Sequence, residues 1–354
     1  MQFGAFWQTP GYEGSSEARR HLETVEEIGL AEQLGFESAW LAESVFYPAR
    51  PMSNPLMVAI AAAQHTERIR FGTLAAQLPL HHPLHMASQS ATCDILTNGR
   101  LDLCLGGRWG TPVGQAVGHA AKISSEESRD RVAEAIALMK RAWTEEEVDF
   151  DGTYWQTQSL PVHPKPVQQP HIPVLMAANS NDTFAYAAAM GAGVVGTTLS
   201  QPLPRMTQRL EEFEAAKLAT PSAPPQRSYV MVSFFVAKTR QAARTFMQEN
   251  WRPSDKTAGL ERMKRMGIDP SQPDFATGAV GWMTWDFDKA CEICIYDEPE
   301  ACVDRLQHLQ EQLPTLHQCI LEFNRRGRIP TEQTRESMRL FAAKVRPRLS
   351  SVSV

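Results

Sequence analysis

Short runs of apolar and β-branched residues recur along the chain at 2–7, 38–42, 69–75, 101–105, 172–177, 194–198, 229–236 and 318–323, each the length of a buried strand. Between them apolar positions return every three or four residues. That spacing predicts helices over 16–34, 53–66, 84–96, 124–143, 182–190, 204–217, 240–250 and 299–313, and a last one over 331–345. Strands alternating with helices in this way predict an α/β protein with a parallel sheet. A single (β/α)8 barrel and a doubly wound open sheet share that outline. The count of eight strands, and the lack of G-x-G-x-x-G after the first, favour the barrel.

Boundary residues support the assignment. Ser15 or Ser16 can cap the first helix, Leu22, Val25, Ile28 and Leu34 form its apolar stripe, and Gly35 ends it. Asn98-Gly99 stops the helix over 84–96, because both residues tolerate left-handed backbone. Two stretches interrupt the alternation as insertions after strand 4 and after strand 7. Residues 109–171 hold a long helix with Val132, Ile136, Met139 and Trp143 on one face, then VDFDGTYWQ, which alternates like a small hairpin. Pro161, Pro164, Pro166, Pro170 and Pro173 follow and force an extended crossing. Residues 252–290 are too long for a plain connection in a compact domain. In a barrel, chemistry sits on the loops at the strands' carboxyl ends. That places Glu43 after the second strand, Leu74-Ala75-Ala76 after the third, Gly106-Gly107-Arg108 after the fourth and 177–183 after the fifth.

Several of these pieces form a recognisable set. Leu74-Ala75-Ala76, the LPLHHPL turn at 78–84, Asp94-Ile95-Leu96-Thr97-Asn98-Gly99-Arg100 as D-x-L-(T/S)-x-G-R, and the glycine-arginine ending at 106–108 resemble the bacterial luciferase-like family. The segment from Leu321 onward resembles that family's last strand and helix. The resemblance implies a TIM barrel and a flavin-dependent monooxygenase. Reduced FMN, supplied by a separate flavin reductase, would react with O2 to a C4a-(hydro)peroxyflavin that oxygenates an organic substrate. A deazaflavin-dependent hydride-transfer oxidoreductase on the same fold, and a non-catalytic flavin-binding subunit, are the alternatives.

The resemblance also implies roles for residues. Leu74-Ala75-Ala76 would form the wall against the flavin ring, with a non-proline cis peptide between Leu74 and Ala75 or one residue on, and Gly106 would be a further cofactor-binding residue. Arg108, Asn179, Ser180 and Thr183 would hold the phosphate, the last three at a helix start where free N–H groups favour an anion; the same residues could simply cap that helix. Glu43 and His82 would do acid–base work, since an imidazole titrates near neutrality. Two departures stand out. Glu43-Ser44-Val45 replaces the Glu-His-His of bacterial luciferases, so light emission by that route is not expected. Gly106-Gly107-Arg108-Trp109-Gly110 replaces a common glycine-arginine-glycine. By the same resemblance 252–290 is an active-site lid; Trp282, Met283 and Trp285 are either its apolar face, suiting an apolar substrate, or ordinary packing onto the barrel rim. A homodimer would use the helix after Asn54, with Met52, Met57, Val58 and Ile60 either at that interface or in the core.

Composition narrows the classes. The 354 residues are 43% hydrophobic, enough for a proper core, yet no apolar run reaches the roughly 18 residues of a membrane span. No basic region followed by a cleavage site opens the chain, so a cytoplasmic protein is expected. Net charge is −5 with no basic block, which argues against nucleic acid. Cys291-Glu292-Ile293-Cys294 lacks a second pair and reads as two structural thiols, and His81, His82 and His85 lack a carboxylate at ligand spacing, so no metal is expected.

Overall fold

A computed structural model of the chain describes residues 1–9, 12, 14–45, 51–107, 117–118, 123–178, 183–199, 202–220, 223–250, 287–325 and 329–349. The strands are β1 (Gln2–Trp7), β2 (Ser38–Leu41), β3 (Arg70–Thr73), β4 (Ala76–Gln77), β5 (Leu101–Gly106), β6 (Glu147–Asp151), β7 (Gln156–Pro161), β8 (Val174–Ala177), β9 (Gly193–Thr197), β10 (Ser228–Val236), β11 (Ile295–Asp297) and β12 (Gln318–Glu322). The helices are α1 (Glu17–Gln33), α2 (Pro55–Ala63), α3 (Pro83–Leu96), α4 (Ser125–Thr144), α5 (Thr183–Ala189), α6 (Leu203–Ala219), α7 (Arg240–Glu249), α8 (Phe287–Ile293), α9 (Pro299–Gln312) and α10 (Thr331–Leu340).

Each apolar run of the sequence forms a strand, and these strands close one ring in the order β1–β2–β3–β5–β8–β9–β10–β12 and back to β1, parallel at every step. The protein is a (β/α)8 barrel. β11 adds outside β10 and was not foreseen, because a three-residue strand carries almost no periodic signal. The 109–171 stretch contains α4 and the antiparallel hairpin β6–β7, and its crossing has cis peptides before Pro164 and Pro170. The 252–290 stretch, with Trp282, Met283 and Trp285, lies outside the described residues except for 287–290 in α8.

The barrel interior is filled by Phe6, Trp40, Ala42, Cys104, Leu175, Val195, Tyr229 and Ile320. Trp40 is its plug. The indole Nε1 donates to Ser38 Oγ at 2.7 Å, and the ring meets Tyr229 edge-on with centroids 4.8 Å apart. Space for it comes from Gly72, where a Cβ would lie 2.3 Å from the indole.

The D-x-L-(T/S)-x-G-R signature proves structural. Asp94 is buried and accepts from the Val167 and Gln168 backbone N–H groups at 2.9 and 3.0 Å, tying down the proline-rich crossing. Asn98 and Gly99 hold positive φ at 54° and 71°. The Arg100 guanidinium donates to Thr97 O, Thr66 Oγ1 and Ile69 O. All this lies where β5 begins, at the end of the barrel opposite the strands' carboxyl ends.

Helix α1 corrects one expectation. Ser16 caps it as foreseen, accepting from Arg19 N, but Leu22 is 67% exposed, and the inward face carries Arg20, Glu23, Thr24 and Glu27 beside Ile28 and Ala31. Ile28, Val25 and Leu34 of the expected stripe do face the core, but polar partners extend the inward face away from Leu22: Thr331 on α10 donates to Glu23 Oε2 at 2.7 Å, and Trp7 Nε1 donates to Glu27 Oε2 at 2.8 Å. Burial raises Glu23, but hydrogen bonds from Thr331, Arg19, Arg20 and Tyr12 outweigh it and hold the carboxyl at about 2. Arg20 is thus already matched. Burial then pushes Glu27, whose Oε1 lies 3.8 Å from Arg20 Nη1, up to about 7.

The fold therefore favours protonated Glu27. That contribution is complete below the ordinary glutamate range and is lost as pH rises through about 7. Glu27→Gln keeps an acceptor for Trp7 and should raise unfolding free energy by about 2 kcal/mol near pH 8.5, with little change near pH 5. Urea unfolding at both pH values measures this, and equal midpoints for variant and wild type at the higher pH would refute it.

On α2, Met52 (just before it) and Val58 belong to the core, whereas Met57 is exposed and Ile60 half-buried. No helix among the described residues is long and apolar enough to cross a membrane.

Candidate active site

The strands' carboxyl ends gather a floor of small and apolar residues. Leu74, Ala75, Ala177 and Met231 pack on the interior cluster while staying partly open. The Leu74–Ala75 peptide is cis, at the position the resemblance implied. Short β4 sets the register next to it, pairing Ala76 with Leu105 and Gln77 with Gly106. Gly106 is half-buried, and a Cβ there would sit 3.3 Å from Ala75 Cβ, so the bare backbone widens the floor. Gly107 answers a different need: a Cβ would collide with Val132 of α4 at 2.0 Å.

An acid–base pair stands at the edge of this floor. Glu43 leaves β2 and is buried, with Oε1 2.7 Å from His81 Nε2 and Oε2 accepting from the Gln77 backbone N–H. Gln77 Nε2 returns a bond to the Glu43 carbonyl at 2.9 Å. His81 ends a single 3-10 turn over Leu78–Leu80, its own N–H bonded to Leu78 O at 3.0 Å. His82 is not part of this pair. Its exposed ring caps α3, Nδ1 accepting from Leu84 N at 3.3 Å, and partial burial, then the charge of His85, push its imidazole below the ordinary range.

The adjoining rim, at the ends of β1, β12 and β10, is polar. Gln8 Nε2 donates to Glu322 Oε1 at 2.7 Å, and Ser233 Oγ lies 2.8 Å from Tyr296 Oη. Burial drives the Tyr296 phenol well above its ordinary range, so it stays neutral. Arg325 Nη1 approaches Cys294 Sγ at 3.2 Å, and Cys291 and Cys294 are buried free thiols. Sequence reading weighed His81 only as a metal ligand and passed over Gln8, Glu322, Ser233 and Tyr296. Gln8 and Glu322 could have been found from their places at the ends of the first and last barrel strands.

Of the expected phosphate ligands, Thr183 is the first residue of α5, just beyond β8. Arg108, Asn179 and Ser180 lie outside the described residues. Thr198, following β9 next to β8 in the ring, is buried, and its Oγ1 has no hydrogen-bond partner among the described residues. A crevice of about 710 Å³ lies elsewhere, on the outer wall between α1 and α10.

Comparison with known proteins agrees with this geometry. The sequence matches the luciferase-like monooxygenase family over residues 1–316. It is 32% identical over 197 residues to the F420-dependent glucose-6-phosphate dehydrogenase of Intrasporangium calvum, covering 53% of this chain and 57% of that protein. It is 27% identical over 178 residues to the oxygenase component of the flavin-dependent trigonelline monooxygenase of Acinetobacter baylyi, covering 50% and 48%. The aligned segments thus span about half the length of these curated relatives. The crystal structure of monooxygenase RslO1 from Streptomyces bottropensis superposes with a TM-score of 0.79 at 25% identity, covering 98% of this chain and 99% of that one. With the closed parallel ring and the cis peptide at the end of β3, these matches make the chain a member of the luciferase-like monooxygenase family.

Proposed function

We propose that the chain is the oxygenase of a two-component, FMN-dependent monooxygenase that acts on an apolar organic substrate. The observation that carries this reading is the open floor shared by β3, β5, β8 and β10, where Leu74, Ala75, Gly106, Ala177 and Met231 offer a flat apolar face. A three-ring cofactor fits such a floor: the cradle at Gly106 is space that a side chain would fill, and apolar walls with few polar groups are usual for cofactor sites. Arg108, Asn179, Ser180 and Thr183 are assigned to the phosphate, with Thr198 Oγ1 as a further polar group at that end.

When bound, reduced FMN supplies the electrons that activate O2. The protein binds and orients it, excludes water with its apolar floor, and handles protons at the rim. A separate flavin reductase supplies the reduced cofactor, as the name of the trigonelline enzyme's oxygenase component suggests for that system. The protein works in the cytoplasm, a reading supported by six free thiols, and pairs as a homodimer through the α2 face bearing Met57 and Ile60.

A second reading is favoured by the 32% identical relative, which is F420-dependent: hydride transfer with a deazaflavin on the same floor. Anaerobic titration with reduced FMN and with reduced F420, followed by admission of O2, separates the two. Tight binding of reduced FMN and rapid oxygen uptake are the expected results. Binding of F420 alone, with no oxygen uptake, would establish the second reading. Flavin binding without turnover of any substrate would leave a flavin-binding subunit.

A further inference from the structure

The Glu43–His81 pair has a geometry that defines a proton path. Glu43 is held at both carboxyl oxygens, with only 1% of its side chain exposed. Oε2 accepts the Gln77 backbone N–H, and Oε1 faces His81 Nε2. A carboxylate accepting at both oxygens leaves Nε2 of the ring as the donor, so neutral His81 is the Nε2–H tautomer and its Nδ1 is an acceptor. His81 is 19% exposed at the side chain, and no described group bonds its Nδ1. One edge of the imidazole is spent on Glu43, and no described group takes the other. His82 differs on both counts, since its Nδ1 is occupied by the Leu84 N–H.

From this arrangement we infer that His81 exchanges protons with the reactants at the barrel mouth. Glu43 and the Gln77 backbone are the positioning groups that set its tautomer. The inference rests on the proposed cofactor site. In the forward direction an acidic X–H group of a bound reactant gives its proton to His81 Nδ1. The imidazolium keeps its Nε2–H on Glu43, and the reverse transfer returns the proton. No other bond changes and no electrons move. Buried carboxylate, fixed imidazole and open reactant edge are the parts general acid–base catalysis needs, and it contributes typically about 10²–10⁴-fold.

Three measurements test it. Nitrogen-15 spectra of the histidine side chains in the cofactor-free protein should show His81 as the Nε2–H tautomer, and Nδ1–H would overturn the inference. Glu43→Gln should reverse the tautomer, because an amide whose oxygen takes the Gln77 N–H presents its NH2 to His81 Nε2. In the same variant FMN affinity should stay within about threefold of wild type, while reoxidation of bound reduced FMN by O2 slows by about tenfold or more. His81→Ala should slow that step at least as much and be partly restored by added imidazole. Reoxidation at the wild-type rate in His81→Ala, or a loss that imidazole does not touch in a folded, FMN-binding variant, would overturn it. Failure of the wild-type protein to bind any flavin counts against the cofactor reading, and the tautomer spectra of the cofactor-free protein then still decide whether Glu43 sets His81.

Discussion

Replacing Gly106 with valine is expected to weaken FMN binding by about 100-fold, or ~2.7 kcal/mol, while the thermal midpoint barely moves. A Cβ at this position would lie 3.3 Å from Ala75 Cβ and 3.8 Å from Ala76 O, so the first added carbon is tolerated with small shifts. The two methyl groups of valine must then stand over Ala75, in the space a planar ring would use. Gly106 is half-buried at the end of β5 and does not carry a positive φ, so a larger residue strains neither core nor backbone. Equilibrium dialysis against FMN, with a melting curve on the same sample, reads both halves. Unchanged affinity in a folded variant would mean that the ring does not lie on this floor.

Gly72→Ala is expected to act oppositely, costing roughly 3 kcal/mol of stability, toward the upper end of overpacking effects, before any effect on ligands is considered. The new methyl would overlap the indole of Trp40, with Cε3 at 2.3 Å and Cδ2 and Cζ3 at 2.5 Å. Trp40 cannot yield cheaply. It is fully buried, bonded through Nε1 to Ser38 and Gln318, and stacked edge-on against Tyr229. Interiors at crystal-like packing density transmit such a collision into the surrounding strands. Removing the obstacle should remove the penalty, so Gly72→Ala in a Trp40→Leu background should cost much less than alone. Urea unfolding of the two single variants and the double variant closes the cycle. Additive costs would show that the two side chains do not meet.

Both glycines stand in strands whose identity was plain from apolar runs, yet nothing in those runs distinguishes their tasks. One makes room for a core tryptophan and the other leaves a surface bare. The same division runs through the motifs. The D-x-L-(T/S)-x-G-R signature belongs to the set that carries the family resemblance, but Asp94 and Arg100 spend their hydrogen bonds on the crossing at 167–168 and on helix ends far from the barrel mouth. Family resemblance and site chemistry were carried by different residues.

The LPLHHPL turn shows why the rest was hidden. Two adjacent histidines are equivalent in a linear reading, and the one before proline attracted the functional assignment. The 3-10 turn and the start of α3 separate them: His82 takes the capping position, and His81 turns back toward β2 to meet Glu43, 38 residues earlier. Likewise the α1 stripe placed Ile28, Val25 and Leu34 against the core, but Leu22 was left outside because Trp7, Tyr12 and Thr331, which arrive from other parts of the chain, engage Glu27 and Glu23 on the inward face.

The sequence by itself determined the strand and helix alternation, because that follows from local periodicity and turn chemistry; its short motifs carried a family resemblance, and that resemblance implied the closed barrel and a cis peptide at Leu74–Ala75 or one residue on. Only the tertiary structure decided which histidine meets Glu43, which helix face turns inward, and that Gln8, Glu322, Ser233 and Tyr296 share one rim. Those outcomes depend on contacts between residues tens to hundreds of positions apart. Burial converts such contacts into protonation and hydrogen-bond states that no local pattern encodes.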